Sequence, residues 1–162
     1  MRFPSLTASA LFIGALVAGV LVGETLSAPL ACAQTSSPPT ASGHADHLLA
    51  DDHSWNGTPY DHYPTTRPML SMIRLTIPAH SALPWHVHPY PNAGYVLEGT
   101  LTIEDRQSGR KRTFHQGEAF AESVNDVHRG VTGDGQTVLL LTYAGSPGKP
   151  TSVPLPGQQK EY

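Results

Sequence analysis

From residue 69 onward, apolar and polar residues alternate in short runs. SMIRLTI (71–77) stops at Pro78, PWHVH follows, and AGYVLEG and TLTIED then meet at Gly99 and Thr100. Period-two runs of this length, broken by Gly, Pro and Asp, predict strands and turns. QSGR (107–110) reads as a tight hairpin turn. Beyond it lie KRTFH, a turn at Gly117, EAFAE, VHRGV, the turn TGDGQ and the apolar TVLLLTY (137–143). About eight strands with no helix between them predict an all-β domain, either a small barrel or a sandwich.

The two ends break this pattern. Behind Arg2 an uncharged stretch runs from Leu6 to Val22, and Ala31-Cys32-Ala33 has the small-x-small form of a signal peptidase site. Residues 1–33 are therefore read as an export signal cut near Ala33, which implies a periplasmic or secreted protein with no stable membrane insertion after cleavage. Two alternatives compete with this. An uncleaved anchor would need the 17 residues of that stretch to span a bilayer, near the lower limit for a helix. A lipoprotein signal ending at Cys32 is opposed by Pro29. Cleavage at Ala33 removes the only cysteine, leaving no disulfide and no thiolate ligand.

Residues 34–68 read as a tether and an arm. QTSSPPTASG (34–43) has the composition of a flexible linker. Ser42 is placed to cap a short helix over roughly 44–51, with His44 and His47 on one side of it, either as a second metal site or as two exposed side chains. Residues 53–68 form an extended arm that packs Trp55, Tyr60 and Tyr63 onto the domain or onto a neighbouring subunit. The barrel itself is expected over 69–144, and 145–162 reads as an irregular tail.

Composition narrows the function classes. In 162 residues there are 15 Gly and 15 Pro, in keeping with strands and turns, and the formal net charge is −3. The ten Lys and Arg are scattered except for Arg110, Lys111 and Arg112, which fit a solvated hairpin. No basic face suits nucleic acid.

The candidate chemistry lies in WHVHPYPN (85–92). On an extended segment His86 and His88 project to one side and Trp85 and Val87 to the other. Pro89 and Pro91 then bend the chain. Two imidazoles on one face suit a metal ion or line a polar groove. By the same parity Glu118, Phe120 and Glu122 share a face, so a carboxylate either points inward or meets solvent. Tyr95 is a core aromatic or a proton donor. His80 fits a rim, Glu98 and His115 fit the surface, and Arg129 faces away from His128.

These residues resemble the cupins. The first cupin motif reads Gly, five residues, His-x-His, three or four residues, Glu, six residues, Gly; His86, His88 and Gly99 match it, with Asn92 at the glutamate and His80 at the first glycine. In GEAFAESVNDVHRGVT, Gly117 and His128 match the second motif, while Ser123, Asn125 and Thr132 replace its proline, glycine and asparagine. YVLEGTLTIE is also typical wording, and the likeness covers about 69–144. It implies a small antiparallel jelly-roll (cupin) β-barrel with an extended N-terminal arm, in which His86, His88 and His128 converge on one divalent transition metal per chain: Fe, Mn, Ni, Cu or Zn.

Asn92 at the glutamate position offers only a neutral oxygen, so it is a weak ligand or lies behind the ligands. Glu122 is the nearest carboxylate in sequence that could replace it. The resemblance leads to an oxygenase-like enzyme acting on a small chelating substrate, with Glu122 or Tyr95 moving protons. The alternative is a non-catalytic small-molecule-binding or sensing module. Homodimerisation through edge strands or the arm is also implied.

Overall fold

The computed structural model describes residues 40–162, so the export signal expected over 1–33 and most of the tether lie outside the described residues. The chain divides after Ser42, and Gly43–Tyr162 form one unit. Its strands are β1 (Met69–Ile77), β2 (His86–Val87), β3 (Asn92–Glu98), β4 (Thr100–Asp105), β5 (Lys111–His115), β6 (Ala119–Ala121), β7 (His128–Thr132), β8 (Thr137–Gly145) and β9 (Val153–Pro154). Each predicted run contributes a strand, and Pro68 and Pro78 bracket β1 because neither has an N–H for the ladder.

The strands form a four-stranded sheet, β1-β8-β3-β6, and a five-stranded sheet, β5-β4-β7-β2-β9. Every strand pair is antiparallel. The architecture is the expected all-β jelly roll. Alternation fills the interior: Leu139, Leu141 and Tyr143 of β8 and Val96 of β3 meet Leu101 and Ile103 of β4 and Phe114 of β5. Each such side chain contributes about 1.5–3 kcal/mol on burial. Phe114 and Phe120 pack with ring centroids 4.8 Å apart. Gly94 makes room for the second ring, since a Cβ there would lie 2.1 Å from Phe120 Cζ.

Two local expectations are corrected, and a third, left open between the domain and a neighbouring subunit, is narrowed. No helix forms over 44–51; residues 40–51 carry no regular structure and are almost all exposed. So short a segment, with Leu48 60% exposed, has no packed face to offset the cost of nucleating a helix. His44 and His47 are exposed side chains there.

The arm packs on its own barrel. Trp55 donates its backbone N–H to Ala121 O at 2.9 Å, and its ring lies against the core. Tyr60 Oη donates to Glu122 O at 2.6 Å, while Tyr63 is 72% exposed. Trp55 thus packs within its own chain while its side chain stays partly exposed.

The segment 145–162 is not wholly irregular. β8 runs through Gly145, β9 pairs with β2, and Leu155 N donates to Trp85 O at 3.0 Å. This return brings the last residues of the chain to the mouth of the barrel.

Candidate metal centre

β2 is short because Pro84, Pro89 and Pro91 flank it, yet it fixes the site by pairing His86 directly opposite His128 of β7. His88 follows on the same face. The three imidazoles are 1–2% exposed, with ring centroids 4.6, 4.8 and 5.0 Å apart. Each Nδ1 lies 2.8 Å from a backbone carbonyl oxygen: His86 from Pro84, His88 from Thr151 and His128 from Asp126. An Nδ1–H donated to a carbonyl fixes the tautomer and leaves the Nε2 lone pair free. The three ligand atoms lie within 4.8 Å of one another, and those of His86 and His88 are 3.2 Å apart.

Two carboxylates border this cluster. Glu122 Oε2 is 3.1 Å from His128 Nε2, and Glu161 Oε2 is 3.4 Å from His86 Nε2, with both glutamate side chains at most 8% exposed. None of Glu122 Oε2, His128 Nε2 and Glu161 Oε2 has an aligned hydrogen-bond partner. They lie around a cavity of about 10 Å³ that also touches Leu83, Leu139 and Leu141. A void of that size suits about one water or one ion.

The electrostatics of the bare site follow from burial and proximity. Burial first, then His128 and His88, pushes His86 down to about 3. Burial lowers His88 as well. Burial would raise Glu122, but contact with His128 and the nearby His88 and His86 outweigh it and draw the carboxyl down to about 2. Burial likewise opposes protonation of His128, and Glu122 overcomes it and raises the imidazole. Glu161 is pushed up by burial to about 7.

These residues fit a divalent transition metal. Nitrogen ligands about 2.1 Å from one ion lie roughly 3 Å apart at a right angle, close to the His86–His88 separation of 3.2 Å. An ion held by the three histidines would also give the orphaned His128 Nε2 a partner, with the orphaned oxygens of Glu122 and Glu161 at the border of the group.

The other candidate residues fall into place around the cluster. Glu122, one of two carboxylates on its predicted face, is buried beside His128, whereas Glu118 is exposed and accepts the His115 N–H at 2.6 Å. Asn92 is 6% exposed, and both polar atoms of its amide lack partners. It pairs with Tyr143, whose ring is 5.5 Å from that of His88.

Tyr95 is a correction. On β3 the buried positions are Asn92, Gly94 and Val96, so Tyr95 projects to the other side of the sheet with Ala93 and Leu97, away from the imidazoles, and cannot pass a proton to them. Arg129 faces away from the imidazoles as expected, bonding Glu104 through Nε at 2.8 Å and lying 4.4 Å from the Trp85 ring. His80 and Glu98 are exposed.

Glu161 and Tyr162 are the residues that sequence reasoning missed. Tyr162 Oη is 2.8 Å from Tyr143 Oη and 3.1 Å from Thr151 Oγ1. The available signal was VPLP (153–156), whose proline-fixed backbone suits an edge strand that carries the chain back to the barrel.

Residues 73–143 match the family model described as Cupin domain. No curated protein matches the chain. Among solved structures, it is similar to the DMSP lyase DddQ from Ruegeria pomeroyi DSS-3, at 18% identity and TM-score 0.49, over 64% of this chain and 49% of the lyase. It is also similar to the polyketide cyclase RemF from Streptomyces resistomycificus, at 19% identity and TM-score 0.48, over 60% of this chain and 66% of the cyclase. An oxalate oxidase in complex with glycolate aligns at 22% identity and TM-score 0.45, over 54% of this chain and 46% of the oxidase. The chain thus spans less than two thirds of each.

Proposed function

We propose that this chain is an exported metal-dependent cupin of oxygenase-like chemistry, acting on a small chelating organic molecule at a centre built on His86, His88 and His128. One observation carries the reading: three buried imidazoles, each with Nδ1 held by a carbonyl, bring their ligand atoms within 4.8 Å of one another, and two of them, His86 and His128, line one small void. A bound divalent ion would supply Lewis acidity and, for a redox-active metal, access to dioxygen chemistry. The chain's own groups do the rest. The carbonyls of Pro84, Asp126 and Thr151 orient the imidazoles, and Glu122 holds a negative charge beside His128 where it can accept a proton from a bound acid. The leucines around the void exclude water.

Metal analysis of protein purified without a histidine tag tests this. About one Fe, Mn, Ni, Cu or Zn per chain is expected, lost in the His86→Ala, His128→Ala double variant, with metal-dependent oxygen uptake on a diketone or flavonol. Absence of metal from the wild type overturns the proposal. A second reading, a binding or sensing module without turnover, is favoured by the closure of the void around the imidazoles. Stoichiometric metal and ligand binding without oxygen uptake would select it.

Export rests on the small-x-small site after the apolar stretch of residues 6–22, and it places the protein in the periplasm or outside the cell. For the homodimer, β1 is the support: it is the outer strand of its sheet and exposes Leu70 at 85% and Met72 at 66%. An unpaired apolar edge suits pairing with a second copy. A Leu70→Lys, Met72→Lys variant should elute as a monomer in size-exclusion chromatography with light scattering.

A further inference from the structure

The metal site is closed by chain that the cupin motifs do not include. The wall beside His86 and His88 comes from residues 151–162: Thr151 O takes the His88 Nδ1–H, and Glu161 Oε2 lies 3.4 Å from His86 Nε2. The Glu161 side chain is 4% exposed and Oε2 has no hydrogen-bond partner, although Lys160 on one side is exposed and Tyr162 on the other is 44% exposed. A carboxylate oxygen is taken out of water at such cost only where something meets it. At the position where the first cupin motif carries its carboxylate this chain has Asn92, a neutral amide.

The second observation is the size of the space. The cavity at the imidazoles measures about 10 Å³, room for about one ion or water and for no organic molecule. Beyond Leu155 the closing segment is held by a short list of polar contacts. Gln158 Oε1 accepts the Trp85 N–H at 3.3 Å, and Tyr162 Oη meets Tyr143 Oη and Thr151 Oγ1 at 2.8 and 3.1 Å. No side chain after Leu155 joins the apolar core. A segment held this way opens at far lower cost than the sheets do.

We propose that Glu161 is a metal ligand lent to the centre by residues 156–162, and that the same segment is a displaceable cover which a chelating substrate must replace. The proposal rests on the metal-centre reading above and deepens it. The carboxylate supplies the anionic oxygen that Asn92 cannot, and its departure opens adjacent coordination positions on the side of the barrel mouth. A two-oxygen chelator would then exchange for one side-chain carboxylate, with no change in the three imidazoles.

The test uses the full chain, stripped of metal and titrated with Co(II), whose visible absorption reports coordination number and ligand type. Glu161→Gln keeps the shape and removes the anion. It is expected to bind Co(II) about ten-fold more weakly or worse, with an altered visible spectrum. Acetohydroxamate, a small two-oxygen chelator, should bind Co(II)-loaded Glu161→Gln at least ten-fold more tightly than the loaded wild type. Tyr162→Phe, which loosens the cover and keeps the carboxylate, should retain the wild-type spectrum and take up acetohydroxamate faster; this variant carries the test if Glu161→Gln does not fold. A wild-type spectrum and affinity in Glu161→Gln overturn the ligand role, and unchanged acetohydroxamate binding in both variants overturns the cover. Failure of the wild type itself to bind Co(II) overturns the metal centre and this proposal with it, and is told apart because His86→Ala then matches the wild type.

Discussion

His86 Nε2 and His88 Nε2 stand 3.2 Å apart, although the Nδ1 atoms of both rings lie 2.8 Å from carbonyl oxygens and are committed as donors. Two lone pairs so placed repel unless a cation lies between them, so metal should stabilise the fold strongly. At a hundred-fold excess over its dissociation constant, a ligand specific for the native state adds about 2.7 kcal/mol. For a domain of this size that is a rise in Tm of roughly 8 °C or more. Thermal melts with a chelator and with added Zn(II) or Mn(II) check this, and His88→Ala should show no difference between the two conditions.

Glu122 makes a distinct contribution, because its Oε2 lies 3.1 Å from His128 Nε2 without the alignment of a hydrogen bond. Glu122→Gln leaves His128 without the charge that raises it. The variant should bind metal about 10–100-fold more weakly while keeping its β-sheet circular dichroism. Calorimetric titration of the metal-free protein with Zn(II) reads the difference.

Much of this was legible in the sequence. The strand runs gave the sheets because period-two alternation is local information, and the His-x-His pair placed two ligands on one face for the same reason. His80 and Asn125 show how a motif persists after its letters change. They stand where the cupin motifs carry glycine, and they have φ of 53° and 59°, the only non-glycine residues with positive φ among the described residues. The backbone conformation that calls for glycine is kept, and the side chain is tolerated. Glu161 was not legible, because its position depends on a nine-residue strand, a loop and a two-residue strand returning the chain to β2. Nothing local marks a carboxylate with that fate. Tyr95 misled because an aromatic near a motif gives no face until the register of β3 is known.

His80→Gly follows from that backbone. A left-handed conformation costs an ordinary residue about 1–2 kcal/mol, and glycine gives back about 0.5–1 kcal/mol through its freer unfolded chain. His80 donates its backbone N–H to Gly133 O at 2.8 Å, a bond glycine keeps, and its side chain only approaches Asp134 at 3.9 Å in solvent. Glycine should therefore stabilise the protein by up to about 1.5 kcal/mol, measured as a higher urea midpoint at unchanged slope.

Gly94→Ala should do the reverse. The added Cβ would stand 2.1 to 2.8 Å from three ring atoms of Phe120, which is 1% exposed and packed against Phe114. The ring cannot rotate away without opening the core, so overpacking should cost about 1–3 kcal/mol. Gly94→Ala combined with Phe120→Leu should recover part of that loss, because the shorter side chain vacates the space the methyl needs. Urea unfolding of the two single variants and the double variant closes the cycle.

Glu104 gives a pH dependence away from the histidine cluster. Its carboxylate contacts Lys111, and Arg129 reaches Oε2 through Nε at 2.8 Å and Nη2 at 2.7 Å. Lys111 first, and then Arg129, hold the carboxyl below its ordinary 4.5 against the opposing effect of burial. A carboxyl lowered on folding adds stability that is fully present above the unfolded value and is lost as pH falls through the folded one. Lys111 is 62% exposed, so solvent screens its share and Arg129 carries most of the remainder. Glu104→Gln should therefore cost about 1 kcal/mol at pH 7. Its urea midpoint should converge on that of the wild type as pH drops below 4.5, and a gap that stayed constant down to acid pH would assign the loss to packing instead of charge.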